Sequence, residues 1–266
     1  MQCCNFETAD LAFLKDFEPP GWGDLVPRFE HFLASPVCYP LKLVTDNKMV
    51  AIGASIMHRN TAWLACIIVH LDYRNKGLGK LITQQLIANI DTQHYKTIYL
   101  EATDLGYPVY KKLGFELDAE YIHLKTDATF YEGHTSECIV LFDKKFRSQL
   151  YALDQQVSGE QRSAALEEHI TTSKIYLHKC NIQGFYMPTL GDGLIVANTP
   201  QAGIALMKCR LQTQKFAILP LDNAIAIDFL KQQHFYPVRI GRRLFLGEKR
   251  IWQPQNLYNR ISGQLG

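Results

Sequence analysis

The stretch from residue 62 to residue 90 limits the fold of this chain more than any other. Ala62–Val69 (Ala-Trp-Leu-Ala-Cys-Ile-Ile-Val) is an unbroken apolar run, too short for a typical helix, and it reads as a strand buried on both faces. His70 to Gly79 then turns the chain through two glycines, Gly77 and Gly79. Leu78, Ile82, Leu86 and Ile90 follow at helical spacing and form a buried stripe. A helix entered this way has first-turn amides without intrahelical acceptors, at the positive end of its dipole. That terminus suits an anion, and glycine lets the backbone approach it closely. Arg74, Asn75, Lys76, Gly77, Leu78, Gly79 and Lys80 are expected to cradle a pyrophosphate, with Arg74 and Lys80 adding charge.

Three phosphate-loop patterns compete for this segment. A Walker loop fails, because Leu81 follows Gly79-Lys80 and Arg74 stands where its first glycine belongs. A dinucleotide fingerprint fits in part. Ile82 replaces its third glycine, but Glu101 lies about 20 residues on, where a ribose-binding acid belongs. The third pattern, Arg-x-x-Gly-x-Gly preceded by Val69-His70-x-x-Tyr73, fits throughout.

The flanking sequence predicts α/β layers around a mixed sheet. Residues 9–17 and 24–34 read as helices separated by Pro19-Pro20-Gly21, and Leu41–Thr45 and Met49–His58 as strands joined by a turn at Asp46-Asn47. After the helix, a strand at Thr97–Ala102, a short helix at Pro108–Leu113 and a strand from Phe115 to Leu124 are expected. The polar stretch Thr126–Ser136 reads as a linker. The second half repeats this ending at an offset of 120 positions, which lays Tyr99–Phe115 over Leu219–Phe235. Lys174–Lys179 and Leu194–Ala197 are strand-like, and Thr199-Pro200 opens a helix as N-cap and first helical residue. The expected organisation is a first domain over 1–126, a second over 137–250 and a C-terminal tail over 251–266.

The third loop pattern resembles that of the GCN5-related N-acetyltransferase (GNAT) superfamily. Leu100-Glu-Ala-Thr-Asp-Leu-Gly-Tyr-Pro-Val-Tyr110-Lys-Lys-Leu-Gly114-Phe115 resembles the superfamily's second signature, a strand followed by a tyrosine and Leu-Gly-Phe. The chain is also similar to a subgroup in which a complete acetyltransferase domain precedes a degenerate copy. Gly21-Trp22, Ala102-Thr103, Leu153-Asp154 with Arg162, and Arg243-Leu-Phe-Leu-Gly247 carry that likeness. Thr103 stands where many members have asparagine, Gly106 where they have alanine, and Leu71 where proline is usual.

The resemblance implies acetyl-coenzyme A as co-substrate, no metal, and direct transfer of acetyl to an amine in a ternary complex. Tyr110 is then the expected acid at the departing sulfur. The backbone of Ile67 and Val69 is expected to hold the pantetheine arm as an added strand would. Trp22 is a candidate wall for the acceptor, a small-molecule amine or a protein or peptide amine. The base is open among Glu101, His70, Asp104, Glu18 and an ordered water, and Glu101 is the leading candidate. In the second half Leu230 replaces Tyr110, His234 replaces Gly114, and no Arg-x-x-Gly-x-Gly precedes the helix. One cofactor site per chain follows. A non-catalytic acyl-coenzyme A sensor and, more distantly, a dinucleotide-dependent oxidoreductase are the rival functions.

Composition narrows the partners. The formal net charge is +2, with no field that implies nucleic acid or a membrane surface. The start Met1-Gln-Cys-Cys-Asn lacks the pattern of a secretory signal, and the longest apolar run is too short to span a bilayer, so a cytoplasmic location is expected. Seven cysteines without a Cys-x-x-Cys read as reduced and mostly buried. His178-Lys-Cys180 lacks the further ligands zinc needs. Oligomeric state is not legible.

Overall fold

The computed structural model describes residues 1–265. Gly266, the last residue of the expected C-terminal tail, lies outside the described residues. The chain forms two compact units.

The first unit begins with β1 (Gln2–Asn5), a 3-10 segment at Thr8–Phe17, α1 (Val26–Ala34), β2 (Cys38–Thr45), β3 (Lys48–Met57) and β4 (Ala62–Val69). It continues through α2 (Leu78–Ala88), β5 (Thr97–Ala102) and α3 (Tyr107–Lys112). The strands lie in the order β1-β2-β3-β4-β5, antiparallel as far as β4 and parallel between β4 and β5. Asp46 and Asn47 both take positive φ (49° and 57°), the geometry that matches a two-residue hairpin turn to the twist of its strands. The α2 stripe covers the sheet closely. A Cβ on Gly53 of β3 would come within 2.8 Å of Leu86 Cδ1, so a larger residue there would force that side chain to move. Ile82 and Leu86 are fully buried in a core with Leu43, Val50, Leu100 and Phe115.

The second unit holds β6 (Glu116–Lys125, from Leu117), β7 (Ile139–Leu141), α4 (Arg147–Ser158), α5 (Ser163–Glu167), β8 (Lys174–His178), β9 (Asn181–Met187) and β10 (Leu194–Ala197). After these come α6 (Pro200–Leu211), β11 (Phe216–Pro220), α7 (Ala224–Gln232), β12 (Tyr236–Gly247, as far as Arg243) and β13 (Leu257–Asn259). Five strands form an antiparallel sheet in the order β13-β10-β9-β8-β7, while β11 pairs antiparallel with β6.

The offset of 120 holds at atomic detail. The amide of Phe115 donates to the carbonyl of Tyr110 at 3.1 Å, and that of Phe235 to Leu230 at 3.0 Å. Gly114 and His234, which precede those phenylalanines, both take left-handed φ (91° and 63°). The second copy therefore keeps the turn after losing the glycine that makes it easy.

The compact units do not follow sequence order. β12, from the second copy, is the neighbour of β5, and Leu244–Lys249 belongs to the first unit. β6, from the first copy, is the neighbour of β11 and lies in the second. The structure thus divides at Glu116/Leu117, not in the polar stretch after Lys125. Residues 251–265 are no loose tail either, since Leu257, Tyr258, Asn259 and Ile261 are buried.

Asp154 and Arg162 form a bidentate pair, at 2.9 and 3.0 Å, buried in the second unit. Arg243 lies 2.9 Å from Asp118 and stacks over Trp252. These subgroup-like residues hold the fold. The cysteines are all free thiols but are not mostly buried. Cys38, Cys66 and Cys209 are buried, whereas Cys3, Cys138 and Cys180 are exposed. Cys138 lies outside any strand, and Cys180 sits with Lys179 in a positive-φ hairpin turn, where a side chain has little to pack against.

Candidate active site

Two strands part where the site is expected. β4 and β5 are in register only at Ala62–Ile98 and Trp63–Tyr99. Beyond these pairs their facing backbone groups run on toward α2 without a shared ladder, a gap that an extended, amide-bearing chain can bridge. The cause is visible in β4. Its register against β3 jumps from Ile52–Ile68 to Ala54–Ala65, so Cys66 and Ile67 oppose Gly53 alone. Cys66 takes φ +49°, a left-handed conformation that a residue with a Cβ adopts at some cost, and this bulge bends the strand. Arg28 of α1 lies with Nη1 3.8 Å from the Cys66 sulfur. Burial pushes the Cys66 thiol up to about 11, against the opposing pull of Arg28, so the sulfur stays protonated at neutral pH. No sequence signal marks this bulge, because cysteine has no special preference for positive φ.

The loop after β4 is built to expose amides. His70 Nδ1 accepts from the Asp72 amide at 3.3 Å, and its ring meets Phe17 and Tyr73 edge-on. That explains His70 as a loop brace. Arg74 Nε donates to the Val69 carbonyl at 3.3 Å, and Lys76 Nζ to the Asp72 carbonyl at 3.2 Å. Asn75 (φ 60°) and Gly77 (φ 80°) turn the chain into α2, with Gly77 as N-cap. A Cβ built on Gly77 meets nothing within 4 Å, and one on Gly79 meets only Val69 Cγ2, at 3.8 Å. The space before the helix is therefore open, as a pyrophosphate cradle requires. Lys80 is exposed one position further on.

Tyr110 lies on α3, buried in the core that contains Leu78, with Ile67 and Val69 packed against it. Burial holds its phenol well above the usual range, so the hydroxyl is protonated. Gly106 matters here. A Cβ at that position would come within 2.7 Å of the Tyr110 ring, so the glycine found in place of the family's alanine goes with the seating of this ring. Thr103 Oγ1 accepts from the Gly106 amide at 3.2 Å, so the hydroxyl caps the turn before α3. Glu101 is half-buried on β5, and Asp104 is exposed in the turn beyond it. Trp22 is half-buried in a turn whose amide bonds to the Pro19 carbonyl, and Glu18 is exposed nearby. Ile67, Val69, Leu78 and Tyr110 thus share one core, and Trp22 is not part of it.

Residues 32–123, which include β4, the glycine loop and Tyr110, match the family model of the acetyltransferase (GNAT) domain. The chain carries a GNAT acetyltransferase domain. The fold of the whole chain is also a known one. It superposes on a proposed acetyltransferase from Pyrococcus horikoshii with a TM-score of 0.82 at 20% identity, covering 100% of this chain and 95% of that one. A GCN5-related N-acetyltransferase from Sphaerobacter thermophilus matches with a TM-score of 0.63 at 13% identity, covering 94% and 96%. Over 78 residues the chain is 31% identical to the [ribosomal protein bS18]-alanine N-acetyltransferase of Salmonella typhimurium. That match covers 28% of this chain and 53% of that protein, so the chain spans about half the length of the curated relative it matches. Among the described residues there is no cluster of metal-ligating side chains, and no helix is long and apolar enough to cross a membrane.

Proposed function

We propose that this GNAT domain transfers an acetyl group from acetyl-coenzyme A to an amine by direct attack in a ternary complex. The observation that carries the reading is the parted β4/β5 pair leading into a glycine-capped helix start with open space before it. The amides of α2's first turn, with Arg74 and Lys80, would hold the pyrophosphate. The backbone of Ile67 and Val69 would hold the arm, which brings the thioester toward Tyr110.

The acceptor nitrogen must be a free amine, because an alkyl ammonium (pKa near ~10) has no lone pair to give. It loses its proton to Glu101 or to a water and attacks the carbonyl carbon. The carbonyl electrons pass to oxygen, where an amide of β4 can stabilise them. Collapse breaks the carbon–sulfur bond, and Tyr110 donates to the leaving thiolate. A phenol held above its usual range is a weak acid next to a thiol, whose reference pKa is near ~8.5. Tyr110 therefore assists chiefly by hydrogen bonding, and its removal should be felt modestly.

The relative is named as an alanine N-acetyltransferase of ribosomal protein bS18. Peptide N-termini therefore join small amines and aminoglycosides in the acceptor panel. Free thiol release is followed with acetyl-coenzyme A and each acceptor. Amine-dependent release well above hydrolysis supports transfer. Tight cofactor binding with no release for any acceptor would favour an acyl-coenzyme A sensor instead.

A further inference from the structure

We infer that the second copy retains a strand-binding slot whose ligand is an extended peptide, the chain's own segment Leu257–Ile261. The comparison rests on the proposed seat of the pantetheine arm between β4 and β5. In the second copy the corresponding strands are β10 and β11, and the gap between them is filled. One edge of β13 pairs with β10, at Ile195–Asn259 and Val196–Leu257. On the other side the Arg260 amide donates to the Ile218 carbonyl of β11 at 3.0 Å, and the Ile218 amide donates to Asn259 Oδ1 at 2.9 Å. Asn223 Nδ2, before α7, donates to the Leu257 carbonyl at 3.1 Å. Asn259 Nδ2 donates to the carbonyls of Asp192 and Gly193 at 2.8 and 2.9 Å.

The side chains seal the slot as the backbone bridges it. Tyr258 is 2% exposed, and its ring lies against Gly203 of α6, where a Cβ has no room. Asn259 and Ile261 are fully buried. The anion end of the site has gone as well. Where His70–Gly77 connects β4 to α2, only Asn198-Thr199 connects β10 to α6. Thr199 Oγ1 accepts from the Ala202 amide at 3.4 Å, so this helix start is capped by its own chain. An exchangeable arm anchored by a pyrophosphate has given way to a built-in strand with no anchor. The extended backbone supplies the same kind of hydrogen-bonding groups that an amide-bearing arm would.

The test uses the full chain with a site-specific protease sequence inserted beside Ile251, which is 94% exposed. After cleavage, the fragment from residue 252 onward should co-elute with the body. The Ile218 and Arg260 amides should exchange as slowly as in the intact chain. A labelled synthetic peptide of residues 252–266, loaded by brief unfolding and refolding, should be displaced by the unlabelled peptide. Its Asn259→Ala version should compete about tenfold more weakly, the loss expected from removing buried hydrogen bonds. In the uncleaved chain, Asn259→Ala should raise exchange at Ile218 about tenfold or more and leave β2–β4 unchanged. Equal competition by the two peptides would overturn the inference. So would departure of the fragment with β10 and β11 still protected, or a second equivalent of coenzyme A bound by the intact chain. Failure of acetyl-coenzyme A to bind at all would sink the proposed function and leave the peptide result standing.

Discussion

Three positions set the residue-scale expectations. Gly79 has protein atoms only at ordinary contact distance, so valine fits the fold there and meets the ligand. Gly79→Val should raise the dissociation constant for acetyl-coenzyme A about tenfold or more, by calorimetry, with the melting temperature nearly unchanged. Gly77 is the poorer probe, because its φ of 80° would strain any replacement. Tyr110→Phe should lower kcat and kcat/KM by similar factors, at or below the low end of the ~10²–10⁴ typical of acid assistance. A fall in affinity with kcat intact would make the hydroxyl a binding contact. His123, on β6, gives a pH dependence. Burial first, then Arg239, lowers it to about 4, with Asp192 pulling the other way. Between its unfolded value near ~6.5 and about 4, the unfolded chain takes up a proton that the folded chain refuses. Stability should therefore fall as pH drops through that window and be flat above it. His123→Gln should flatten the melting temperature against pH there.

At the scale of elements, β4, β5 and β10 run as the sequence predicts, because an apolar strand buried on both faces states its own limits. The helix at residues 9–17 is 3-10 in form, and β9 carried no clear signal amid its glycine and polar residues. The bulge at Cys66, the parted strands and the insertion of β13 are set by pairings between distant segments, which local pattern does not encode. The repeat was legible as an order of elements, and the shared left-handed turn explains how it survived loss of identity. His234→Gly should stabilise the chain by about 1 kcal/mol in urea unfolding, whereas Gly114→His should destabilise it by a similar amount. Destabilisation by His234→Gly, or no loss of stability with Gly114→His, would mean that the left-handed geometry is not what the glycine serves.

For the whole molecule, the two copies have kept the architecture and divided the chemistry. The glycine loop and the tyrosine are found only in the first, and β13 occupies the second. Titration of the intact chain should give one acetyl-coenzyme A per chain. Two equivalent sites would show that the shortened Asn198-Thr199 connection still binds a pyrophosphate. The acceptor was beyond the reach of sequence for a physical reason. Trp22, Glu18 and Asp104 lie outside the helices and strands, where residues vary without disturbing the sheet.

β12 also bears on how the protein is made. The Lys96 carbonyl accepts from the Glu248 amide at 2.8 Å, Thr97 Oγ1 donates to the Glu248 carbonyl at 2.6 Å, and Leu244 is fully buried in the first core. While the ribosome is still synthesising the second copy, β5 therefore waits as an open edge, and such an edge invites pairing with other chains. Neither half can be released early as a finished product, and a premature stop anywhere before residue 244 leaves both unfinished. Splitting the chain between its two copies should therefore leave β5 without the strand that neighbours it.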